Sequence, residues 1–133
     1  IKIYKLFSTL LYKTLKKITI LIMVIFYINV GLLHFLDPNW FLPIVPPYLP
    51  FHLELVYISG FFEILFGVLL IFQNTRSFAG KGLIILLIAV FPANIYLAQT
   101  NGAAMNTTPL IAWGRLPIQF IFIGLAYWHS LKE

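Results

Sequence analysis

The 133-residue chain contains no cysteine and few charged side chains. Because thiolates are missing, the sequence excludes disulfides, iron–sulfur clusters and zinc–thiolate sites. It also excludes membrane oxidoreductases that pass electrons through a cysteine pair. Charged residues make up 10% of the chain, against roughly 25% in a soluble domain, so too few are available to cover a water-facing surface. A soluble enzyme domain is therefore excluded as well.

Motifs for common metal-dependent or nucleophilic chemistry are also missing. The sequence has no HExxH zinc motif, no P-loop, no GxSxG motif and no carboxylate-rich metal motif. Haem is not expected, because bis-histidine ligation needs two histidines at matched depth on different helices. His34 and His52 lie near one end, but His52 belongs to a proline-rich loop and His129 lies at the other end.

What the chain does contain is apolar residues, which make up 61% of it and fall into four runs. A helix that spans a bilayer needs about 20 mostly apolar residues. The runs predict spans over residues 18–36, 53–72, 82–99 and 116–130, with no room for a separate soluble domain. We therefore predict an all-α integral membrane four-helix bundle over residues 18–133.

Residues 1–17 form a separate, basic segment in this interpretation. Apolar residues recur at helical spacing, including Ile3, Phe7 and Leu10, and five lysines are interspersed: Lys2, Lys5, Lys13, Lys16 and Lys17. This pattern predicts an amphipathic helix on an anionic membrane surface. A helix that docks on a protein partner is the alternative.

The basic residues also predict an orientation. Eight of the nine lie in the N-terminal segment, in a predicted loop over residues 73–81 or at Lys132, which share one side of a four-span bundle. The positive-inside rule then places both termini in the cytoplasm. Since these residues flank apolar spans, we attribute the net charge of +5 to lipid head groups and topology, and not to nucleic acid binding.

The first outer loop, residues 37–52, contains five prolines yet remains apolar. Proline forbids a continuous helix here. Four aromatic residues suit the head-group layer: Trp40, Phe41, Tyr48 and Phe51. We predict that this loop lies flat on the outer leaflet as a lid. An interfacial anchor is the simpler interpretation and a moving gate the alternative.

Polar residues inside the predicted spans are the best indicators of function, because placing a polar group in the hydrocarbon core costs free energy. The rise per residue gives each of them an approximate depth below the outer edge of the predicted spans. Arg115 is near the surface and His34 is within about one helical turn of it. Gln119 and Asn94 are roughly 6–8 Å deep, Asn29 is about 10 Å deep and Glu63 is about 15 Å deep. These residues descend from the outer face to the middle. We expect them to meet in one central cluster.

Helical spacing indicates which of them face inward. Tyr27, Gly31 and His34 form one stripe on the first span, and Gly60, Glu63 and Gly67 share a face of the second. Small residues on such a face let a neighbouring backbone come close.

Glu63 and Arg115 have the least certain partners. A carboxyl group at the position of Glu63 should be protonated or paired with a hydrogen-bond donor. It either handles a proton or a ligand, or locks the helices together, and both interpretations stay open. Arg115 is level with Asp37 and Glu54, which are its easiest ion-pair partners.

The amide of Asn94, two residues after Pro92, is expected to help satisfy backbone groups that the proline frees.

Five segments together resemble the conserved blocks of DoxX-like membrane proteins. They are GLLHFLDP at 31–38, YISGFFEI at 57–64, Arg76, AVFPANIY at 89–96 and RLPIQ at 115–119. The resemblance implies a four-helix bundle, usually in the bacterial cytoplasmic membrane. The family is named after a subunit associated with a thiosulfate:quinone oxidoreductase, and members are often labelled oxidoreductases. The resemblance implies a shared site formed by five residues: His34, Glu63, Asn94, Arg115 and Gln119.

These features lead to a functional hypothesis with two alternatives. We expect an accessory membrane subunit of a redox complex, with an outer-half pocket for a quinone-like or other amphipathic ligand. Glu63 and His34 are the candidates for proton transfer, and Arg115, Gln119, Asn94 and Tyr27 are the candidates for ligand binding; no metal site or other cofactor is evident. The expected partners are membrane lipid and other membrane-associated subunits.

The first alternative is a non-catalytic structural or assembly subunit that docks a larger membrane complex. The second is a small-molecule transporter. The scarcity of polar residues in the inner half argues against a continuous transport pathway.

Overall fold

The computed structural model describes residues 2–131, which form four long α-helices. They are α1 (Lys2–Leu36), α2 (His52–Ile71), α3 (Gln73–Gln99) and α4 (Pro109–Ser130). Each is long and apolar enough to cross a membrane, which fits an integral membrane protein. The predicted all-α bundle is confirmed, and residues 2–131 contain no strand. Lys132, used above for the orientation, lies outside the described residues.

The first helix continues without a break from the basic segment into the first span. It contains 35 residues and is about 52 Å long, which exceeds the thickness of the hydrocarbon core. No glycine or proline occurs before Gly31, so nothing in the sequence interrupts helical hydrogen bonding. The predicted boundary at residue 17 is therefore not a structural boundary. Residues 2–15 are exposed along the whole stretch.

The second and third helices are separated only by Phe72, so the predicted loop over residues 73–81 is wrong. The first turn of α3 caps the end of α2. Thr75 Oγ1 donates to the carbonyl of residue 69 at 2.7 Å, and Arg76 donates to those of residues 70 and 71 at 2.9 and 3.1 Å. These bonds satisfy carbonyls that a helix end leaves without partners.

The fourth helix begins at Pro109, earlier than the predicted position 116. Thr108 is its N-cap and accepts a hydrogen bond from the amide of Ile111 at 3.3 Å. Proline suits the first helical position, since its missing N–H would have no partner there. The prediction began the span after Arg115 and so left the apolar residues 110–113 in the preceding loop.

The helices pack mainly with their neighbours along the chain, α1 with α2, α2 with α3 and α3 with α4. The main core includes Met23, Leu70 and Leu83, all fully buried. Helices α1 and α4 meet through side chains, such as the stacked rings of Phe26 and Phe122, whose centres are 4.9 Å apart. We call the end with residues 37–51 and 100–108 the loop end, and the end with Phe72 and Leu131 the terminal end.

The proline-rich loop does not lie flat across the loop end, as predicted, but inserts two side chains into it. Phe41 and Ile44 are buried, and Ile44 belongs to a second core cluster with Leu97 and Ala112. Two short 3-10 helices, Pro38–Trp40 and Leu42–Ile44, direct these side chains inward. The other three aromatics predicted for the head-group layer are exposed: Trp40, Tyr48 and Phe51.

Candidate functional site

The acid and the histidine predicted for proton transfer face each other between α1 and α2. His34 Nδ1 lies 3.7 Å from Glu63 Oε2, which is within ion-pair range but too long for a hydrogen bond. The same nitrogen lies 2.7 Å from the carbonyl oxygen of Val30. Because a carbonyl only accepts, Nδ1 carries a proton and donates it there.

Glycines on both helices make this approach possible. A Cβ atom on Gly60 would lie 2.5 Å from His34 Cβ and 2.9 Å from the carbonyl oxygen of Gly31. One on Gly67 would lie 3.3 Å from Tyr27 Cβ. The predicted inward stripes of both helices are therefore confirmed, and they pack against each other.

Tyr27 adds a second buried polar atom near Glu63. It is 3% exposed, packs edge-on against Phe122, and lies within electrostatic range of the Glu63 carboxylate. Among the described residues, nothing forms a hydrogen bond with the Tyr27 hydroxyl or with Glu63 Oε2. We call Tyr27, His34 and Glu63 the acid–histidine group.

Phe41 closes the acid–histidine group at the loop end. Its ring stacks on the imidazole of His34, with centres 3.7 Å apart and an interplanar angle of 14°. Phe41 is 7% exposed, so it separates His34 from the medium beyond the loop end. The sequence contained no signal that distinguishes Phe41 from its aromatic neighbours, because an irregular loop has no periodicity.

The two amides predicted for ligand binding form a separate pair between α3 and α4. Asn94 Nδ2 donates to Gln119 Oε1, and Gln119 Nε2 donates to the carbonyl of Leu87 at 2.6 Å. Pro92 has no N–H for the carbonyl of Ile88, which is the residue after Leu87. The amide that bonds the backbone of α3 here is thus that of Gln119, at the neighbouring carbonyl, and not that of Asn94 as predicted.

Among the described residues, no hydrogen bond or ion pair joins this amide pair to the acid–histidine group. Where the sequence predicted one central cluster, these contacts form two groups, one between α1 and α2 and another between α3 and α4. Asn29 belongs to neither. It is exposed, and its amide donates to the carbonyl of Ile25 at 2.7 Å on its own helix.

An apolar pocket of about 240 Å³ adjoins the amide pair. Its lining residues come from α3, up to Pro92, and from α4: Ile88, Phe91, Pro92, Gln119, Phe120 and Ile123. Ile88 and Phe120 are exposed on the outer surface of the bundle. In a membrane this pocket would open towards lipid.

Arg115 does not form the predicted ion pair with Asp37 or Glu54 within the described part of the chain. Its Nη1 instead lies 3.1 Å from the sulfur of Met105. The reason is the packing order, because α4 packs mainly on α3 and Glu54 is on α2. Glu54 is exposed in the first turn of α2.

Polar contacts at the terminal end were not expected from the sequence. Lys16, expected at the membrane surface, is buried, and His129 is buried against Thr19 of α1, with His129 Nε2 2.8 Å from Thr19 Oγ1. Ser77 also donates to the carbonyl of Ser130 at 2.6 Å, which joins α3 to α4.

Residues 23–130, which are most of the chain, match the sequence profile of a family described as a domain of unknown function (DUF8561). The chain belongs to this family. The matched residues include the acid–histidine group, the amide pair and Arg115, whereas most of the exposed part of α1 lies before them. No curated protein and no solved structure matches the chain.

Proposed function

We propose that this family member is a small membrane subunit that works in or beside a redox complex. In this proposal the acid–histidine group holds the polar head of a quinone-like amphipathic ligand. The observation that carries it is the pair of buried atoms without hydrogen-bond partners, Tyr27 Oη and Glu63 Oε2. Unsatisfied buried polar atoms are costly in a membrane, so they favour a ligand that supplies the missing partner.

The chemistry of the group suits an oxygen-bearing ring. The Tyr27 hydroxyl can donate to a ligand carbonyl, and the Glu63 carboxyl can accept a proton from a ligand hydroxyl or return it. His34 lies close enough to stabilise the negative charge that Glu63 carries before it accepts the proton and after it returns it. The ring of Phe41 and the apolar faces of α1 and α2 would exclude water from the bound head.

The amide pair is less suited to the head of the ligand. Both ends of the Gln119 amide are already engaged within the chain, by Asn94 and by the carbonyl of Leu87. The adjoining pocket is lined mainly by apolar side chains, which suits a hydrocarbon tail or a lipid chain. Among the described residues no hydrogen bond joins Arg115 to either group, since its Nη1 contacts the sulfur of Met105, so it has no role in this proposal.

The resemblance to DoxX-like proteins supports a redox partner and a bacterial cytoplasmic membrane. The positive-inside rule favours a cytoplasmic terminal end, which places the acid–histidine group in the outer half. Since the chain contains no cysteine, electrons would have to be carried by the ligand and the partner. The chain itself would bind the ligand and handle its proton.

Equilibrium binding of a short-chain quinone analogue to purified protein in nonionic detergent tests this proposal. Glu63→Gln keeps the shape of the side chain but cannot accept a proton from the ligand. We expect its affinity to fall about tenfold, as for the loss of one charge-assisted hydrogen bond. Glu54→Gln, on the exposed first turn of the same helix, is the matched control and should bind like the wild type. Equal affinity of all three proteins would contradict the proposal.

A structural subunit is the second candidate, because the exposed start of α1 projects beyond the packed helices. Ile3, Leu6 and Phe7 are more than half exposed there, beside lysines. Purification in mild detergent should then recover a stoichiometric membrane partner. Deleting residues 2–11 should release it, and this deletion spares Tyr12, whose hydroxyl accepts a hydrogen bond from Trp128.

A further inference from the structure

The bundle-facing side of α1 changes from apolar to basic where the helix leaves the bundle. Met23 and Tyr27 lie on this side and are buried. Continued towards the start of the helix at spacings of three or four residues, the same stripe reaches Lys13, Lys5 and Lys2. All three lysines are exposed. We call them the lysine face.

Tyr12 marks the point at which α1 leaves the other helices. Its hydroxyl accepts a hydrogen bond from Trp128 Nε1 at 3.0 Å, and the two rings meet edge-on with centres 5.4 Å apart. Trp128 is in the last turn of α4, which ends at Ser130. Residues 2–11 lie before this contact and are exposed throughout. The lysine face therefore borders the terminal end and extends beyond it.

The opposite side of α1 stays apolar along the helix. Ile3, Phe7 and Leu10 lie on it near the start and are more than half exposed. Leu21 and Ile25 continue the same side within the bundle and are also more than half exposed. Because side chains at helical spacing share one face, the lipid-facing side of the span continues to the start of α1.

The helix that carries the lysine face has no acidic residue. The first acid in the sequence is Asp37, which follows the opposite end of α1. The ammonium groups of Lys2, Lys5 and Lys13 therefore have no counter-charge along their own helix. Charge complementarity favours an anionic partner for this face.

The length of α1 matches a complete bilayer better than its hydrocarbon core. The helix is about 52 Å long, whereas the core is about 30 Å thick and the bilayer with its head-group layers about 40–45 Å. Tilted by about 35°, which is within the usual range for membrane helices, α1 extends about 43 Å along the membrane normal. Its first turns then lie in the head-group layer at the terminal end. Phosphate groups and the adjoining parts of the acyl chains are both within reach there.

We propose that the start of α1 binds anionic phospholipids in the head-group layer at the terminal end. The lysine face contacts their phosphates, and the apolar side contacts their acyl chains. An acidic water-soluble protein would satisfy the lysines but leave Ile3, Phe7 and Leu10 in water, so the two sides of the helix together favour lipid. The site shares no residue with the acid–histidine group and does not depend on the proposed quinone-like ligand.

Native mass spectrometry of the full-length protein tests this proposal. The protein is placed in nanodiscs with equal amounts of phosphatidylglycerol and phosphatidylcholine, and the ratio of the two lipids that it retains on release is measured. Lys5→Gln removes one charge of the lysine face, and the triple variant Lys2→Gln/Lys5→Gln/Lys13→Gln removes all three. Lys81→Gln, at an exposed cation of α3, is the matched control for the single variant. Arginine at the same three positions keeps the charge and is the control for the triple variant.

We expect the wild type to retain phosphatidylglycerol preferentially. This preference should fall about fivefold in Lys5→Gln, the usual effect of one basic residue near an anionic surface, and further in the triple glutamine variant. Lys81→Gln and the triple arginine variant should behave like the wild type. No preference in the wild type, or an unchanged preference in the triple glutamine variant, would overturn the proposal. In that case, loss from the triple glutamine variant of a protein that copurifies with the wild type would assign the lysine face to an acidic protein partner.

Discussion

Gly60 shows how closely the first two helices approach at the scale of one residue. A Cβ at this position would lie 2.9 Å from the backbone oxygen of Gly31, which cannot move away as a flexible side chain can. Gly60→Ala should therefore separate α1 from α2 and lower the free energy of unfolding by about 1–3 kcal/mol, the usual effect of overpacking. The unfolding midpoint in detergent measures this change.

Gly124→Ala provides the control for Gly60→Ala. Gly124 also lies inside a helix, but a Cβ there would meet nothing within 4 Å. The substitution should change stability by less than about 0.5 kcal/mol, as is usual for surface sites. Equal effects of the two substitutions would show that helix propensity, and not helix contact, explains the glycine at position 60.

Phe41 controls access to His34. Phe41→Ala removes the ring that stacks on the imidazole, so His34 should become reactive towards diethyl pyrocarbonate. Mass spectrometry of the modified peptides measures the reaction at each histidine separately. Trp40→Ala, which removes an exposed neighbouring ring, should leave His34 protected. Protection of His34 in both variants would mean that Phe41 does not close the group.

The sequence predicted which side chains turn towards the interior better on helices than in loops. Tyr27, Gly31 and His34 were expected on one stripe because a helix has a fixed period, and the structure confirms that all three are buried. Phe41 was expected at the head-group layer because its loop has no period to show which aromatic turns inward. Composition alone could not show that Lys16 is buried, since its position depends on the rings of Tyr12, on its own helix, and of Trp128, on α4.

Pro92 removes one backbone hydrogen bond from α3, and Gln119 of α4 bonds the neighbouring carbonyl of Leu87. Gln119→Leu removes the donor to Leu87 and the acceptor for Asn94, and it leaves buried polar groups without partners. We expect a loss of about 1–3 kcal/mol in the free energy of unfolding. Gln99→Leu, at the exposed end of α3, is the control and should be close to neutral. A small effect of Gln119→Leu would mean that α3 relaxes without the amide.

At the scale of helices, hydropathy located all four spans but shortened two of them. It began the third span at 82 and the fourth at 116, whereas α3 begins at Gln73 and α4 at Pro109. The polar first turn of α3 escapes a hydropathy criterion, whereas the first turn of α4 is apolar and was separated from its span by Arg115. The pair Thr108–Pro109 is a recognisable start signal in the sequence, because threonine caps and proline fits the first position. The single-residue turn at Phe72 had no such signal.

The orientation of the whole molecule can be tested because the chain has no cysteine of its own. Ser8→Cys and Tyr48→Cys place single thiols at exposed positions at opposite ends. With a cytoplasmic terminal end, a membrane-impermeant maleimide should label Tyr48→Cys in intact cells and Ser8→Cys only after permeabilisation. The reverse labelling pattern would contradict the proposed orientation.

Which polar groups meet also depends on the whole molecule. The sequence placed the polar residues in one half of the bundle, but it could not show which helices are neighbours. Because α4 packs on α3 and α1 on α2, Gln119 pairs with Asn94, and Glu63 faces His34. Helix order, which no local pattern encodes, therefore divides the expected site into two.

Photo-crosslinking with an azido-quinone analogue tests the central claim most directly, because peptide mapping reports where the ligand lies. The account predicts labelling of α1 near Tyr27 and His34 and of α2 near Glu63, competed by unlabelled quinone. Labelling should be strongly reduced in Glu63→Gln and retained in Glu54→Gln. Labelling confined to the pocket beside Phe91 and Phe120, or equal labelling of both variants, would contradict the claim that the acid–histidine group binds the ligand head.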